Sequence, residues 1–209
     1  MDVRINKDWF EALSSSAPVP GGGGASALAG AGGAALCMMV ANLTVGKKKY
    51  AEHEELMKEF LVRLEKLRDE SLTLIEEDAK GFEPLAAAYS LPSSTDEEKA
   101  EKEKIMASAL VKACEVPIAI MEKGAEILDI AVELAEKGSV MAVSDVGVAV
   151  QFARTAVLGA SMNVYINTKS MKDRKTAEEL NAKADSLNKK ASETADAVFA
   201  KIEGELKCR

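Results

Sequence analysis

The chain has 209 residues, of which 47% are hydrophobic, 29% are charged and only 4% are aromatic. This length fits one domain spanning residues 1–209, and the composition favours an all-α protein over a β sandwich, which needs more aromatic and β-branched residues. The net charge of -7 argues against nucleic acid as a partner, because no excess of Lys and Arg is left to neutralise phosphates.

Hydrophobic spacing and helix-breaking residues predict six helices in chain order. They are expected at about residues 8–15, from the glycine run to 45, and at 49–88, 95–137, 144–171 and 177–202. Gly46 is a stop signal, Thr95 with Glu98 or Ser94 with Glu97 offers a capping box, and Ser144 is a candidate N-cap. With no linker between them, these helices predict a single-domain bundle.

The predicted helix 21–45 consists largely of Gly, Ala and Ser, and the predicted helix 144–171 carries a face of small residues, namely Ala149, Ala153, Ala156 and Ala160. Residues 21–46 carry no charge and precede a basic cluster, which is also compatible with a membrane span. Gly and Ala transfer poorly into lipid, however, so we expect no membrane association. The two small-residue helices are instead predicted to pack closely against each other in the core.

The glycine run itself permits several interpretations. A phosphate-binding loop of the Walker type is excluded, because Gly46 is followed by three lysines rather than by Lys-Ser or Lys-Thr. Gly22, Gly24 and Ala27 match a dinucleotide-binding pattern, but the prolines before them preclude the strand that this pattern requires. A tight turn and a bare backbone that admits an anion or a flat ligand both remain open.

Ionisable residues within apolar patterns are the next candidates. Asp78 lies on the apolar face of the predicted helix 49–88, where burial would raise its pKa; pairing with a lysine or capping a neighbouring helix is the alternative. Asp145 would be stabilised in a first helical turn whatever its function. The single histidine, His53, is expected at the surface, and the three cysteines are spaced neither for a metal nor for disulfides, which suggests a cytoplasmic protein. The first residues also show no signal peptide.

Several strings in the chain are similar to one known family. They are PVPGGG at 18–23, SALAG at 26–30, MVANLTVGKKKY at 39–50, DAKGF at 78–82, SDVG at 144–147 and GASMNVYIN at 159–167. Together they resemble the cyclodeaminase domain of formiminotransferase-cyclodeaminase and its free-standing relatives, which include methenyltetrahydrofolate cyclohydrolases. The chain departs from this pattern at Gly24, where relatives often carry Ser.

The resemblance implies an all-helical homodimer that acts on a reduced folate without a metal or nucleotide cofactor. It makes 5-formiminotetrahydrofolate cyclodeaminase the first functional hypothesis and 5,10-methenyltetrahydrofolate cyclohydrolase the second. A folate-binding helical module without catalysis is a hypothesis of another class.

The resemblance also suggests roles for individual residues. Asp78 and Asp145 are the candidate catalytic carboxylates. The expected substrate contacts are the glycine backbone with Ser26 and Phe82, amides that match a pterin edge, and basic residues that hold the glutamate tail, whether it is a monoglutamate or a polyglutamate. These residues are Gly21, Gly22, Gly23, Ser26, Phe82, Asn42, Asn163, Asn167, Lys47, Lys48, Lys49 and Arg154.

Overall fold

A computed structural model describes residues 7–208 of the chain. Over this range it contains six α-helices and no β-strand. Their bounds are α1 (Lys7–Leu13), α2 (Gly22–Thr44), α3 (Glu54–Tyr89), α4 (Asp96–Lys137), α5 (Val143–Lys169) and α6 (Arg174–Lys207). The prediction of an all-α bundle of long helices is therefore confirmed.

Most helix ends follow the signals in the sequence. Gly46 adopts a φ of 75° just after α2, a conformation that glycine tolerates best. Thr95 and Glu98 form the capping box at the start of α4, and Pro117 lies inside that continuous helix. A 3₁₀ helix, Lys48–His53, precedes α3.

The predicted N-cap of α5 is wrong. A 3₁₀ turn, Val140–Ala142, runs directly into α5, so Ala142 is the N-cap and Ser144 already lies within the first helical turn. The helix therefore begins without a side-chain cap.

The two small-residue helices, α2 and α5, pack against each other in the centre of the bundle. A Cβ atom added to Gly33 would lie 3.2 Å from the carbonyl oxygen of Ala149, and one added to Gly30 would lie 3.4 Å from the Ala156 side chain. Such short distances show that the backbones meet with almost no side chain between them. The predicted close packing of the two helices is confirmed.

The same two helices are long and apolar enough to span a membrane by length and composition alone. Their most apolar windows have mean hydropathies of 1.6 and 1.3, and 56% and 50% of those windows is buried within the bundle. Their small faces contact each other, as expected for core helices.

α2 and α5 run in opposite directions, which gives the bundle two distinct ends. At one end Gly22 faces Asn163, and at the other the Thr44 hydroxyl accepts a hydrogen bond of 2.8 Å from the Ser139 N–H just before α5. We call the first the glycine end and the second the lysine end, because Lys47–Lys49 follow α2 there. At roughly 1.5 Å per residue, α2 separates the two ends by about 30 Å.

Candidate active site

A cavity of about 250 Å³ opens at the glycine end. Four helices line it: the start of α2, the second half of α3, the middle of α4 and the end of α5. Side chains or backbone from each helix face it, namely Gly21 and Gly22, Asp78 and Phe82, Lys112 and Pro117, and Asn163 and Asn167. Its volume lies below the roughly 300–1,000 Å³ of pockets that enclose a drug-sized molecule. A ligand with a flat ring and a long tail would therefore extend out of it.

Asp78 supplies the one carboxylate among the described residues that line this cavity. It is half-buried, and its Oδ2 accepts a hydrogen bond of 3.0 Å from the backbone N–H of Gly24. Burial raises the pKa of Asp78, and the Gly24 N–H offsets part of that rise. Asp78 forms no ion pair within the described part of the chain, so the alternative of a lysine partner does not apply. The other alternative is realised, since the carboxylate caps the start of α2 while it lines the cavity.

The glycine run allows this approach of α3 to α2. A Cβ atom on Gly23 would lie only 2.1 Å from Oδ1 of Asp78, so any larger residue would displace the carboxylate. A Cβ atom on Gly24 would make ordinary contacts at 3.7 Å with Ile75 and Trp9. Gly23 is therefore required for the position of Asp78. At Gly24, where the chain departs from the family pattern, there is room for a small side chain.

Two asparagines from the end of α5 complete the polar lining. Nδ2 of Asn167 donates a hydrogen bond of 3.1 Å to the carbonyl oxygen of Ala113, which fixes its amide against α4. Nδ2 of Asn163 makes only a long contact of 3.5 Å with the carbonyl oxygen of Gly159. The amide of Asn163 thus keeps most of its hydrogen-bonding capacity for a ligand.

Two predicted contact residues lie near this region but not in the cavity. Ser26 is buried between α2 and α5, where its hydroxyl donates a 2.7 Å hydrogen bond to the carbonyl oxygen of Gly22. Arg154, in the middle of α5, forms an ion pair of 2.7 Å with Asp196 of α6. In the single chain neither side chain lines the cavity, so their role in substrate binding stays a prediction.

The remaining candidate residues do not lie at this cavity in the single chain, and their roles stay predictions. Asn42, Lys47, Lys48 and Lys49 are exposed at the lysine end, and Asp145 lies in the first turn of α5 at that same end. The length of α2 places them about 30 Å from Asp78. His53 belongs to this end as well, 3.5 Å from Glu52.

The cavity also contains residues that the sequence did not reveal. Lys112 and Pro117 come from α4, Gly81 from α3, and Ile166 from the stretch between the two asparagines. The string DAKGF does contain Gly81, but α4 gives no comparable signal, since it shows only a long amphipathic pattern. Which face of α4 meets the cavity depends on how the helices pack. Within residues 7–208, no three His, Cys, Asp or Glu side chains are grouped as metal ligands would be.

These observations define an all-helical protein with a partly polar cavity at one end of its bundle. Comparison with known proteins then identifies the family. A family model described as formiminotransferase-cyclodeaminase matches residues 6–186. The chain therefore belongs to the formiminotransferase-cyclodeaminase family.

Individual relatives support the same assignment. A methenyltetrahydrofolate cyclohydrolase from Methylorubrum extorquens is 45% identical over 193 residues, which cover 89% of this chain and 93% of that protein. The formimidoyltransferase-cyclodeaminase of Gallus gallus is 30% identical over 192 residues, which cover 92% of this chain and 36% of that longer protein.

A solved structure confirms the fold as well. The crystal structure of formiminotetrahydrofolate cyclodeaminase from Thermotoga maritima matches with a TM-score of 0.85 and 26% identity, covering 96% of each chain. The resemblance seen in the sequence is confirmed. The expectation that the chain is an enzyme, either a cyclodeaminase or a cyclohydrolase, is confirmed as well.

Proposed function

We propose that this chain acts on the N5–C–N10 unit of tetrahydrofolate as a 5,10-methenyltetrahydrofolate cyclohydrolase. The half-buried carboxylate of Asp78 at the start of α2 is the observation that carries this proposal. The choice of cyclohydrolase over cyclodeaminase rests on the 45% identity with the cyclohydrolase of Methylorubrum extorquens, nearly all of which this chain covers. This reverses the order that the sequence motifs favoured.

The chemistry needs a base near a cation. The methenyl group shares a positive charge over N5, carbon and N10, which a nearby carboxylate stabilises electrostatically. Asp78 then takes a proton from a water molecule as its oxygen bonds to the methenyl carbon. The hydroxyl group now on the carbon loses its remaining proton to solvent as the carbonyl double bond forms and one carbon–nitrogen bond breaks. The electron pair of that bond stays on the nitrogen, which takes the proton held by Asp78. A formyl group remains on the other nitrogen.

The remaining cavity residues suit a flat heterocycle. Gly21 and Gly22 present backbone without side chains, and Phe82 and Pro117 supply apolar contacts on neighbouring walls. The amides of Asn163 and Asn167 offer donors and acceptors for the edge of a pterin ring. The proposed reaction uses no metal or nucleotide cofactor, because the substrate itself carries the one-carbon unit and its charge.

The second candidate is 5-formiminotetrahydrofolate cyclodeaminase. It is favoured by the likeness to the Thermotoga maritima cyclodeaminase, at a TM-score of 0.85. In that reaction N10 attacks the formimino carbon, and Asp78 transfers the proton of N10 to the formimino nitrogen. A second proton from solvent lets this nitrogen leave as ammonia, and the positive charge remains on the methenyl unit. The same carboxylate beside the same ring atoms serves both reactions, so the geometry of Asp78 is common to them.

We also propose a homodimer. Exposed apolar side chains lie along both α2 and α5 in the single chain, and we call them the apolar face. Its members are Met39, Leu43, Val148, Phe152, Met162 and Ile166, which are 40–62% exposed.

The apolar face reaches both ends of the bundle, because Leu43 adjoins Asn42 at the lysine end and Ile166 lines the cavity. A second copy related by a twofold axis that lies in this face, at its middle and perpendicular to α2, would bring its lysine end towards the cavity. Only in such an arrangement would Lys47–Lys49 reach a long polyglutamate tail.

One assay separates these functions. The protein is incubated with 5,10-methenyltetrahydrofolate and, separately, with 5-formiminotetrahydrofolate, while methenyl absorbance and ammonia are recorded. Accelerated loss of the methenyl chromophore without any reaction of the formimino compound is the expected result. Appearance of the chromophore with ammonia would identify the cyclodeaminase instead. Folate binding without either reaction would contradict both enzymes and leave a non-catalytic binding module.

A further inference from the structure

We infer that Lys112, on α4, is the residue that binds the first glutamate carboxylate of the substrate. This inference rests on the proposed folate function and adds a specificity-determining residue to it. Lys112 is the one basic residue among the described residues that line the cavity with Asp78. A tetrahydrofolate carries a positive or neutral ring at one end and carboxylates at the other, so it needs opposite charges at the two ends of its site.

Lys112 is placed for the outer end of the ligand. Lys112 is exposed, whereas Asp78, which lines the same cavity, is half-buried. The two side chains form no ion pair, and the pKa of Asp78 is governed by burial and by the Gly24 N–H rather than by an ammonium group. The carboxylate and the ammonium therefore act on different parts of a ligand. The cavity of about 250 Å³ holds the ring, and the tail leaves past α4.

Two other lysines at this end of the bundle have partners. Nζ of Lys102 donates hydrogen bonds of 2.8 Å to the carbonyl oxygens of Tyr89 and Leu91, which anchors the end of α3. Lys80 pairs with Glu76 on its own helix at 3.6 Å. Among residues 7–208, no carboxylate lies within ion-pair distance of Lys112. Its ammonium group is thus available to an incoming anion.

The lysine trio at the other end does not compete for this role in one chain. Lys47–Lys49 lie about 30 Å from Asp78 along α2. In the proposed dimer, Lys47–Lys49 of the second copy would contact only the part of a polyglutamate tail that follows the first glutamate. The monoglutamate substrate therefore isolates the contribution of Lys112.

The test compares two substrates that differ only in the glutamate. Steady-state kinetics are measured with the tetrahydrofolate monoglutamate substrate and with the corresponding tetrahydropteroyl amide, in which a simple amide replaces the glutamate and no carboxylate remains. Lys112→Met keeps most of the length of the side chain and removes its charge. We expect it to raise KM for the monoglutamate about 10-fold, with kcat unchanged, and to leave KM for the pteroyl amide unchanged. Lys112→Arg should restore most of the affinity.

Lys104→Met is the matched control, because Lys104 is also exposed on α4 but does not line the cavity. It should match the unaltered protein with both substrates. An equal rise of KM with both substrates, or no rise with either, would overturn the assignment of Lys112. If the unaltered protein turns over neither compound, the proposed function fails, and this inference fails with it before any variant is compared.

Discussion

The Asp78 carboxylate occupies the space that a side chain on Gly23 would fill. A Cβ atom at Gly23 would lie 2.1 Å from Oδ1 of Asp78, while the next residue, Gly24, donates its N–H to Oδ2 at 3.0 Å. One glycine thus gives the carboxylate its room, and its neighbour gives it a hydrogen bond. This pair of contacts brings a titratable group of α3 to the backbone at the start of α2.

Gly23→Ala should therefore reduce turnover about 100-fold, because the added methyl group must displace Asp78 by an ångström or more. Gly24→Ala is the matched control, since its methyl group meets only ordinary contacts at 3.7 Å. Steady-state rates of both variants, with circular dichroism to verify folding, provide the measurement. Equal losses of activity in the two variants would contradict the proposed role of Gly23.

The pH dependence of the rate should report the ionisation of Asp78. As a general base it must be ionised, so kcat/KM should fall as pH drops through its pKa. Because burial raises that pKa, the acid limb should lie above the ordinary value for aspartate, which is about 3.9. A pH profile of kcat/KM for the unaltered protein measures this limb. An acid limb at or below the ordinary value would show that no buried carboxylate controls the reaction.

The contribution of Asp78 to the free energy of unfolding should decrease as pH rises, whereas kcat/KM should increase. A raised pKa means that the folded protein binds the Asp78 proton more tightly than the unfolded chain does. This contribution to stability is complete below the ordinary pKa and is lost as pH rises through the raised one. At pH 7 Asp78→Asn, which is always neutral, should therefore have a higher Tm than the unaltered protein.

The gain in Tm should shrink as pH falls towards 4, and thermal unfolding at several pH values measures it. Glu77→Gln, at an exposed neighbouring position on α3, controls for the loss of one negative charge. A gain in Tm that did not change with pH would assign the effect to packing rather than to ionisation.

The proposed dimer predicts a concentration-dependent assembly through the apolar face of α2 and α5. Met162 is 58% exposed on this face and does not line the cavity. Met162→Glu should therefore give monomers in size-exclusion chromatography with light scattering, because it would bury charge in the interface. An unaltered protein that is itself monomeric would exclude the dimer.

The lysine trio gives a separate test of the same arrangement. Lys48→Ala should raise KM for a polyglutamylated substrate in the dimer, and should have no such effect in the Met162→Glu background. A rise of KM in both backgrounds would mean that Lys48 reaches the substrate within one chain, contrary to the length of α2.

Much of the fold follows from local patterns in the sequence. The period of apolar residues located the helices, and Gly46, Thr95 and Glu98 marked ends that the structure retains. The face of α3 that carries Leu74, Asp78 and Phe82 was also predictable. The three- and four-residue spacing of apolar residues along α3 shows which side of that helix is buried, and this spacing is visible in a single sequence.

The composition of the candidate site was harder to predict. The expected contact residues lie at two ends of the bundle, because a helix of 23 residues separates the glycines from the lysines. That separation was implicit in the predicted helix itself. Lys112 could not be found in this way, because the face of α4 that meets the cavity is set by tertiary packing.

The most direct test of the central claim is the turnover of Asp78→Asn, which keeps the shape of the side chain and its capacity to accept the Gly24 N–H. Its rate is compared with that of Glu77→Gln, using 5,10-methenyltetrahydrofolate as substrate. The account predicts a loss of at least about 100-fold for Asp78→Asn with unchanged folding and near-normal turnover for Glu77→Gln. Near-normal turnover by Asp78→Asn would contradict it.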